Sequence, residues 1–274
     1  MRCAWLLALV VTACGPEISQ QRTSYDSRFG EATELDVYRS PGVMKPGVML
    51  VHGGGWREGS KSQLAGLATR LAIEGYVTAS VNYRLGAEGA YPGAVNDVRC
   101  ALSFLQNHSE TFGLDATRIT VLGYSAGGHL VSMVATGALT DCAEGIGAPP
   151  RAVIAAAAPQ NLNALSWAAD VQKFMSQRPD AYDEASPVKR VQAGAPPFLL
   201  IHGEADAYVP AAQATDMRDA LLSHGNDARL LLLRGGGHVL NPAVSADQLS
   251  FESYVTDSGE AWLAMLDFLN AVNR

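Results

Sequence analysis

Short apolar runs without polar alternation recur along this chain, and amphipathic segments of helix length separate them. They include FLLI at residues 198–201 and LLLL at residues 230–233. A strand that is apolar at every position is buried on both faces, as in a parallel sheet covered by helices. With 48% hydrophobic residues among 274, the chain can fill the core of one large domain. The pattern predicts an α/β fold with a mostly parallel central sheet flanked by helices.

The N-terminal composition sets the predicted domain boundaries. Residues 1–13 hold one arginine and a short apolar run, which is typical of a signal peptide. Residues 14–29 are polar and unpatterned, and they are predicted to form a tether. Residues 30–274 contain no repeat or linker and are predicted to form one domain. Within them, residues 160–195 interrupt the alternation of strands and helices, so we expect a lid or substrate wall there.

The four cysteines have different predicted fates. Cys3 leaves with the signal peptide. The segment VTAC resembles a bacterial lipobox, which implies that Cys14 becomes a lipid-modified N-terminus; an ordinary cleaved signal is the alternative. The protein is then expected to be an exported, membrane-anchored lipoprotein that faces the periplasm or lies at the cell surface. Cys100 and Cys142 form the one remaining pair, and a disulfide is predicted, with two buried free thiols as the alternative.

The net charge of −7 and the absence of Lys or Arg clusters argue against a nucleic-acid partner. The cysteines show no metal-ligand spacing, so no metal site is expected. The expected partner is a small, uncharged molecule, and membrane contact is expected only through a lipid at Cys14. The sequence predicts no oligomeric state.

The segment GYSAGGH at residues 123–129 follows a strand pattern directly and leads directly into a helix pattern. Ser125 in it is either a helix N-cap or a nucleophile. A Cβ at Gly123 or Gly127 would collide in so sharp a turn, which explains both glycines. The N–H of Ala126 would then be free at a helix N-terminus. We favour the nucleophile because other segments supply its partners.

A nucleophilic serine needs a base and a carboxylate that orients the base. His238 lies in a glycine-rich loop after the last predicted strand and is the preferred base. His129 is expected to pack at the base of its helix, His52 and His202 to organise loops, and the other two histidines to lie on the surface. Asp206 follows the strand before it and is preferred over Glu204 as the orienting acid. The glycine turn in LVHGGGW is predicted to place Gly54 and Gly55, with Ala126, as oxyanion donors.

The segments HGGGW, NYRL, GYSAGGH, HGEADAYVP and GGGH together resemble the hormone-sensitive-lipase and feruloyl-esterase-like carboxylesterases. The resemblance covers roughly residues 34–272. It implies an α/β-hydrolase fold, with Ser125 as nucleophile, His238 as base and Asp206 as acid, and it implies no cofactor. The short segment before His52 leaves room for a small cap or none.

The resulting prediction is a serine carboxylesterase that acts on short acyl or aryl esters. Trp56, Tyr124 and Trp167 are candidate pocket residues, and packing of the insertion is an alternative role for Trp167. Arg84 and Asp97 are expected to pair structurally. Two other functions remain open: a serine peptidase of the prolyl-oligopeptidase kind, and a non-catalytic binding protein on the same fold.

Overall fold

The structure is a computed structural model. It describes residues 17–137, 142–238 and 259–274. The predicted signal peptide, Cys14 and the first residues of the predicted tether lie outside the described residues. Within the described ranges, no helix is both long and apolar enough to cross a membrane.

One eight-stranded sheet forms the centre of the molecule, in the order β1-β2-β4-β3-β5-β6-β7-β8. β1 and β2 pair antiparallel, β2 also runs antiparallel to β4, and all other neighbours are parallel. The strands are β1 (Ser19–Ser24), β2 (Glu34–Arg39), β3 (Lys45–Val51), β4 (Val77–Val81), β5 (Leu114–Tyr124), β6 (Ala152–Ala156), β7 (Phe198–Gly203) and β8 (Ala228–Leu233). The carboxyl ends of the parallel strands meet at one edge, where loops carry functional side chains.

Helices cover both faces of this sheet. They are α1 (Ala65–Ile73), α2 (Gly93–Asn107), α3 (Ser109–Phe112), α4 (Ala126–Ala135), α5 (Ala169–Phe174), α6 (Ala212–Ser223) and α7 (Gly259–Val272). Short 3-10 helices span Ser27–Thr33, Lys61–Leu64, Asn163–Leu165 and Pro187–Lys189. The apolar sides of α1 and α7 pack in one hydrophobic cluster, and those of α2, α4 and α6 pack in another on the opposite face. The predicted layered α/β architecture is confirmed.

The apolar runs are buried because successive side chains enter different layers. In β3, Val48 and Leu50 join the cluster of α1 and α7, whereas Met49 and Val51 join the other cluster. All four side chains are buried, as period-two alternation across a covered sheet requires. β8 differs from the prediction, because it lies at the edge of the sheet and Leu232 is 37% exposed. A leucine run therefore does not by itself identify a central strand.

The predicted tether is wrong over its described part. Residues 19–24 form β1, which pairs with β2 from Ser19↔Arg39 to Ser24↔Glu34. Tyr25 is buried, and its hydroxyl donates to the carbonyl of Asn82 at 2.8 Å. Because β1 is exposed along most of its length, backbone hydrogen bonds hold it without apolar alternation. The domain thus includes residues that the pattern alone assigned to a linker.

Two predicted cross-links are present in the structure. Cys100 on α2 and Cys142 form a disulfide that spans 42 residues, so the alternative of two free thiols is wrong. Arg84 pairs with Asp97 on α2 through its guanidinium and through its backbone N–H, which donates at 2.9 Å. The second pair fixes the loop after β4 on α2, as expected.

Candidate active site

Ser125 lies in the sharp turn between β5 and α4. Its backbone has φ 52° and ψ −119°, a left-handed conformation that a non-glycine residue rarely adopts. It occupies the N-cap position of α4, but its side chain caps no backbone N–H. The hydroxyl instead contacts His238. The choice between helix cap and reactive side chain is therefore decided against the cap.

Two glycines make this turn sterically possible. A Cβ on Gly123 would lie 2.2 Å from the carbonyl oxygen of Gly127, and a Cβ on Gly127 would lie 2.2 Å from that of Val51. Real Cβ atoms do not come so close to backbone oxygens. The predicted steric role of Gly123 and Gly127 is confirmed.

His238 and Asp206 come to Ser125 from the loops after β8 and β7. The Nε2 atom of His238 lies 3.0 Å from the Ser125 Oγ, and its Nδ1 lies 2.8 Å from the Asp206 Oδ2. These distances form a continuous hydrogen-bond chain from carboxylate to hydroxyl. The structure therefore brings together the three residues predicted as nucleophile, base and acid.

Asp206 is fully enclosed, and donors surround its carboxylate. Its Oδ1 accepts hydrogen bonds from the backbone N–H groups of Tyr208 at 2.9 Å and Val209 at 2.8 Å. Burial by itself would raise the pKa of the Asp206 carboxyl, but hydrogen bonds from His202, His238 and Val209 hold that pKa well below its usual range. Asp206 is therefore charged at neutral pH, and its Oδ2 accepts from the His238 Nδ1.

The glycine turn after β3 passes beside Ser125. A Cβ on Gly53 would lie 3.3 Å from the Ser125 Cβ. Gly54 and Gly55 both have positive φ, at 107° and 58°, and a Cβ on Gly54 would lie 2.0 Å from the carbonyl oxygen of Glu58. Within the described part of the chain, neither the Gly54 nor the Gly55 N–H donates to another backbone carbonyl. Together with the Ala126 N–H at the start of α4, these groups remain the predicted oxyanion donors.

The aromatic residues predicted to line the pocket lie in three different environments. Trp56 is 3% exposed and stacks on Phe174 at 4.6 Å, so it is a core residue and the prediction that it lines a pocket is wrong. Tyr124 is partly buried, and its hydroxyl donates to the His238 carbonyl at 2.9 Å. Trp167 is 67% exposed, so the alternative that it packs the insertion onto the sheet is wrong. Its pocket role stays a prediction.

Four further histidines hold structural or surface positions, as expected. Burial lowers the pKa of His52 and of His129 to about 4, so both are neutral. His52 stacks on Tyr83, and the His129 Nε2 lies 2.8 Å from the Ala185 carbonyl oxygen. His224 is exposed and His108 is partly exposed, and both lie at helix ends. Among the described residues, no group of three His, Cys, Asp or Glu side chains is placed to hold a metal.

The sequence reasoning missed a bridge across the site, which we call the Asp170 bridge. Asp170 on α5 accepts from the Arg57 Nε at 2.9 Å and from the Tyr208 hydroxyl at 2.5 Å. Its carboxylate also lies against Gly55, where a Cβ would be 2.8 Å from Oδ2. The Tyr208 ring lies 5.0 Å from the His238 ring. The bridge thus joins the insertion, the glycine turn and the acid loop, which no short motif connects.

Tyr208 keeps its proton in this bridge. Burial and the hydrogen bond to Asp170 raise the pKa of Tyr208 to about 12, so the phenol remains a donor at neutral pH.

Comparison with known proteins gives consistent matches. A model of the BD-FAE family matches residues 35–221. The chain is 31% identical to Esterase LipC of Mycobacterium tuberculosis over 225 residues, which are 74% of this chain and 56% of LipC. It is 28% identical to the probable carboxylic ester hydrolase LipM of the same organism over 258 residues, 83% of this chain and 60% of LipM. The chain therefore spans little more than half the length of these relatives.

Solved structures show the same fold. A truncated carbohydrate esterase from gut microbiota superposes with a TM-score of 0.79 at 22% identity, covering 94% of this chain and 97% of that one. The esterase Est2 of Thermogutta terrifontis gives a TM-score of 0.71 at 23% identity, covering 92% and 94%. At such identities the likeness concerns the fold, which is that of an α/β-hydrolase.

Proposed function

Because the chain belongs to the BD-FAE family and has the α/β-hydrolase fold, we propose that it is a serine carboxylesterase acting on short-chain acyl or aryl esters. The observation that carries the proposal is the hydrogen-bond chain from Asp206 through His238 to Ser125. The relatives LipC, an esterase, and LipM, a probable carboxylic ester hydrolase, agree with it.

The proposed reaction proceeds in two steps. The Ser125 hydroxyl attacks the ester carbonyl carbon while the His238 Nε2 takes its proton and then gives it to the departing alcohol. This forms an acyl-enzyme and releases the alcohol. Water then attacks the acyl group, again with His238 as base, and releases the acid and free Ser125. Asp206 keeps the proton on Nδ1 and stabilises the imidazolium formed in each step.

The negative charge that develops on the carbonyl oxygen needs donors that are already in place. The N–H groups of Gly54, Gly55 and Ala126 are proposed to supply them. One donor in such a site contributes about 10²–10³ in kcat. The positive φ angles at Gly54 and Gly55 support this proposal, because they let the backbone turn tightly beside Ser125.

A substrate series separates this function from a peptidase of the prolyl-oligopeptidase kind and from a non-catalytic protein. The purified protein should hydrolyse p-nitrophenyl acetate or butyrate, and Ser125→Ala should lower kcat/KM by at least about 10⁴-fold. Cleavage of a peptide substrate without hydrolysis of any ester would contradict the proposed esterase function. Acetylated sugars and feruloyl esters in the panel would identify the alcohol and acyl preferences.

We also propose that the protein is exported and anchored by a lipid on Cys14. The support is the segment VTAC at the end of a short apolar run. Cys14→Ser should move the protein from the membrane fraction to the soluble fraction. Unchanged fractionation would reject the anchor and leave the proposed chemistry untouched.

A further inference from the structure

A second histidine contacts the carboxylate that orients His238. His202 lies near the end of β7 and is completely buried. Its Nε2 lies 2.8 Å from the carbonyl oxygen of Val209 and 3.3 Å from the Asp206 Oδ2. The second contact is to the same carboxylate oxygen that accepts from the His238 Nδ1.

The direction of these hydrogen bonds follows from their partners. A carbonyl oxygen can only accept, so the short contact with Val209 requires a hydrogen on the His202 Nε2. The same Nε2 lies 3.3 Å from the Asp206 Oδ2, so its hydrogen is within reach of two acceptors. Within the described residues, the His202 Nδ1 has no hydrogen-bond partner. The ring is therefore held in the loop by its Nε2 side.

The carboxylate plane of Asp206 is set by its hydrogen bonds, because rotation of such a group about its last torsion has only a broad preference. Backbone N–H groups hold Oδ1, and His202 holds Oδ2 from the interior side, while His238 approaches from the partly exposed side. Val209 takes part twice, since its N–H donates to Oδ1 and its carbonyl accepts from His202. Losing the His202 donor would leave Oδ2 with His238 alone.

We propose that His202 is a positioning residue for the esterase reaction, because its Nε2–H holds the Asp206 carboxylate in the orientation that receives the His238 Nδ1–H. The inference rests on the proposed function. This role differs from that of His129, a buried histidine that only bonds the backbone carbonyl of a neighbouring segment.

Substitutions at position 202 test the donor itself. His202→Leu removes the donor at similar size, and kcat for p-nitrophenyl acetate should fall about 10- to 100-fold with little change in KM, because a small misplacement of a catalytic group has effects of this order. In His202→Gln the side-chain amide reaches as far as Nε2, so most of the activity should return. In His202→Asn the amide is too short to reach Asp206, and activity should stay low. The Gln and Asn pair keeps the test valid if the Leu variant does not fold.

His129→Leu is the matched control. His129 is also completely buried, and it makes the same 2.8 Å contact from Nε2 to a carbonyl oxygen, with its Nδ1 unpartnered within the described residues. Its side chain contacts none of the three triad residues in the described contacts, and its backbone N–H, which the substitution keeps, donates to the Ser125 carbonyl at 3.0 Å. Its loss should reduce stability much as His202→Leu does, while kcat stays within about threefold of wild type, as for a site that does not couple to the triad.

The Asp206→Asn background separates positioning from general damage. If His202 acts through Asp206, adding His202→Leu to Asp206→Asn should lower kcat by no more than about twofold. A fluorophosphonate probe that labels Ser125 provides a second readout, because its rate reports serine activation whatever the natural ester is.

Three results would overturn the inference: wild-type kcat in His202→Leu or His202→Asn, an equal loss in His129→Leu, or an undiminished loss in the Asp206→Asn background. They differ from failure of the proposed function, in which wild-type protein would neither hydrolyse esters nor take up the probe at Ser125.

Discussion

At the scale of single residues, the sharp turn at Ser125 is possible because the nearby glycines have no Cβ. In Gly123→Ala the new Cβ would meet the carbonyl oxygen of Gly127 at 2.2 Å, and this oxygen belongs to helix backbone that cannot move alone. We expect a loss of about 1–3 kcal/mol of unfolding free energy. We also expect kcat/KM for p-nitrophenyl acetate to fall about 100-fold or more, because Ser125 shifts relative to His238.

Gly225→Ala is the control for this prediction. Gly225, unlike Gly123, has a positive φ of 75°, and a Cβ there would have no heavy atom within 4 Å. Its substitution should cost about 1–2 kcal/mol of stability through backbone strain alone and leave kcat/KM unchanged. Urea titrations and ester kinetics on both variants check the pair. Full activity in Gly123→Ala would show that the turn can relax.

Individual residues could be predicted where the local sequence alone indicates their role. Ser125, Asp206 and His238 each follow a strand and carry the chemistry that a hydrolase needs, so pattern and chemical type together predict them. Trp56 was wrongly predicted, because neighbouring glycines do not reveal that its ring turns into the core. The contact of His202 with Asp206 needs the three-dimensional path of the loop between them.

At the scale of elements, the Asp170 bridge ties α5 to the two loops that hold the glycine turn and the acid. The pair of Arg57 with Asp170 is partly exposed, with 39% and 15% of the two side chains accessible, so its net stabilisation is small. The pair does constrain the position of the glycine turn, because the Asp170 carboxylate lies directly against Gly55. The bridge therefore bears on the position of the turn more than on overall stability.

Asp170→Ala should lower kcat/KM for p-nitrophenyl acetate about tenfold, because the turn that presents the Gly54 and Gly55 N–H groups loses its support. The unfolding free energy should change by less than about 1 kcal/mol. Asp267→Ala is the comparison variant. It breaks an exposed ion pair between α7 and Arg229 on the edge strand β8. Equal kinetics in the two variants would show that the bridge does not support the site.

Helices and strands could be predicted where their burial requires a regular pattern of apolar residues. β5 and α4, on either side of Ser125, and β7, which carries the run FLLI, lie where the apolar pattern predicts them. β1 was missed because an exposed strand at the edge is held by backbone hydrogen bonds that leave no trace in side-chain polarity. β8 was placed correctly but wrongly expected to be buried on both faces, since a leucine run does not show that helices cover both sides of the strand.

At the scale of the whole molecule, two buried neutral histidines link stability to pH. Burial lowers the pKa of His52 and His129 to about 4 in the folded protein, whereas an unfolded histidine titrates near pH 6.5. Between these values the unfolded chain binds protons that the folded chain excludes. Acidification through this window therefore favours unfolding, and above about pH 6.5 the two groups have no effect.

Each of the two imidazoles should remove about 3 kcal/mol of unfolding free energy between pH 6.5 and pH 4. Urea titrations at pH 7, 5.5 and 4.5 measure the fall. Net charge also changes over this range, so the decisive comparison is with His129→Leu, in which every other group titrates as before. That variant should be less stable than wild type at pH 7, but its stability should decline less steeply, because one proton-binding difference is gone. Parallel declines would mean that His129 is protonated within the fold, and its contact with the Ala185 carbonyl would then hold a charged ring.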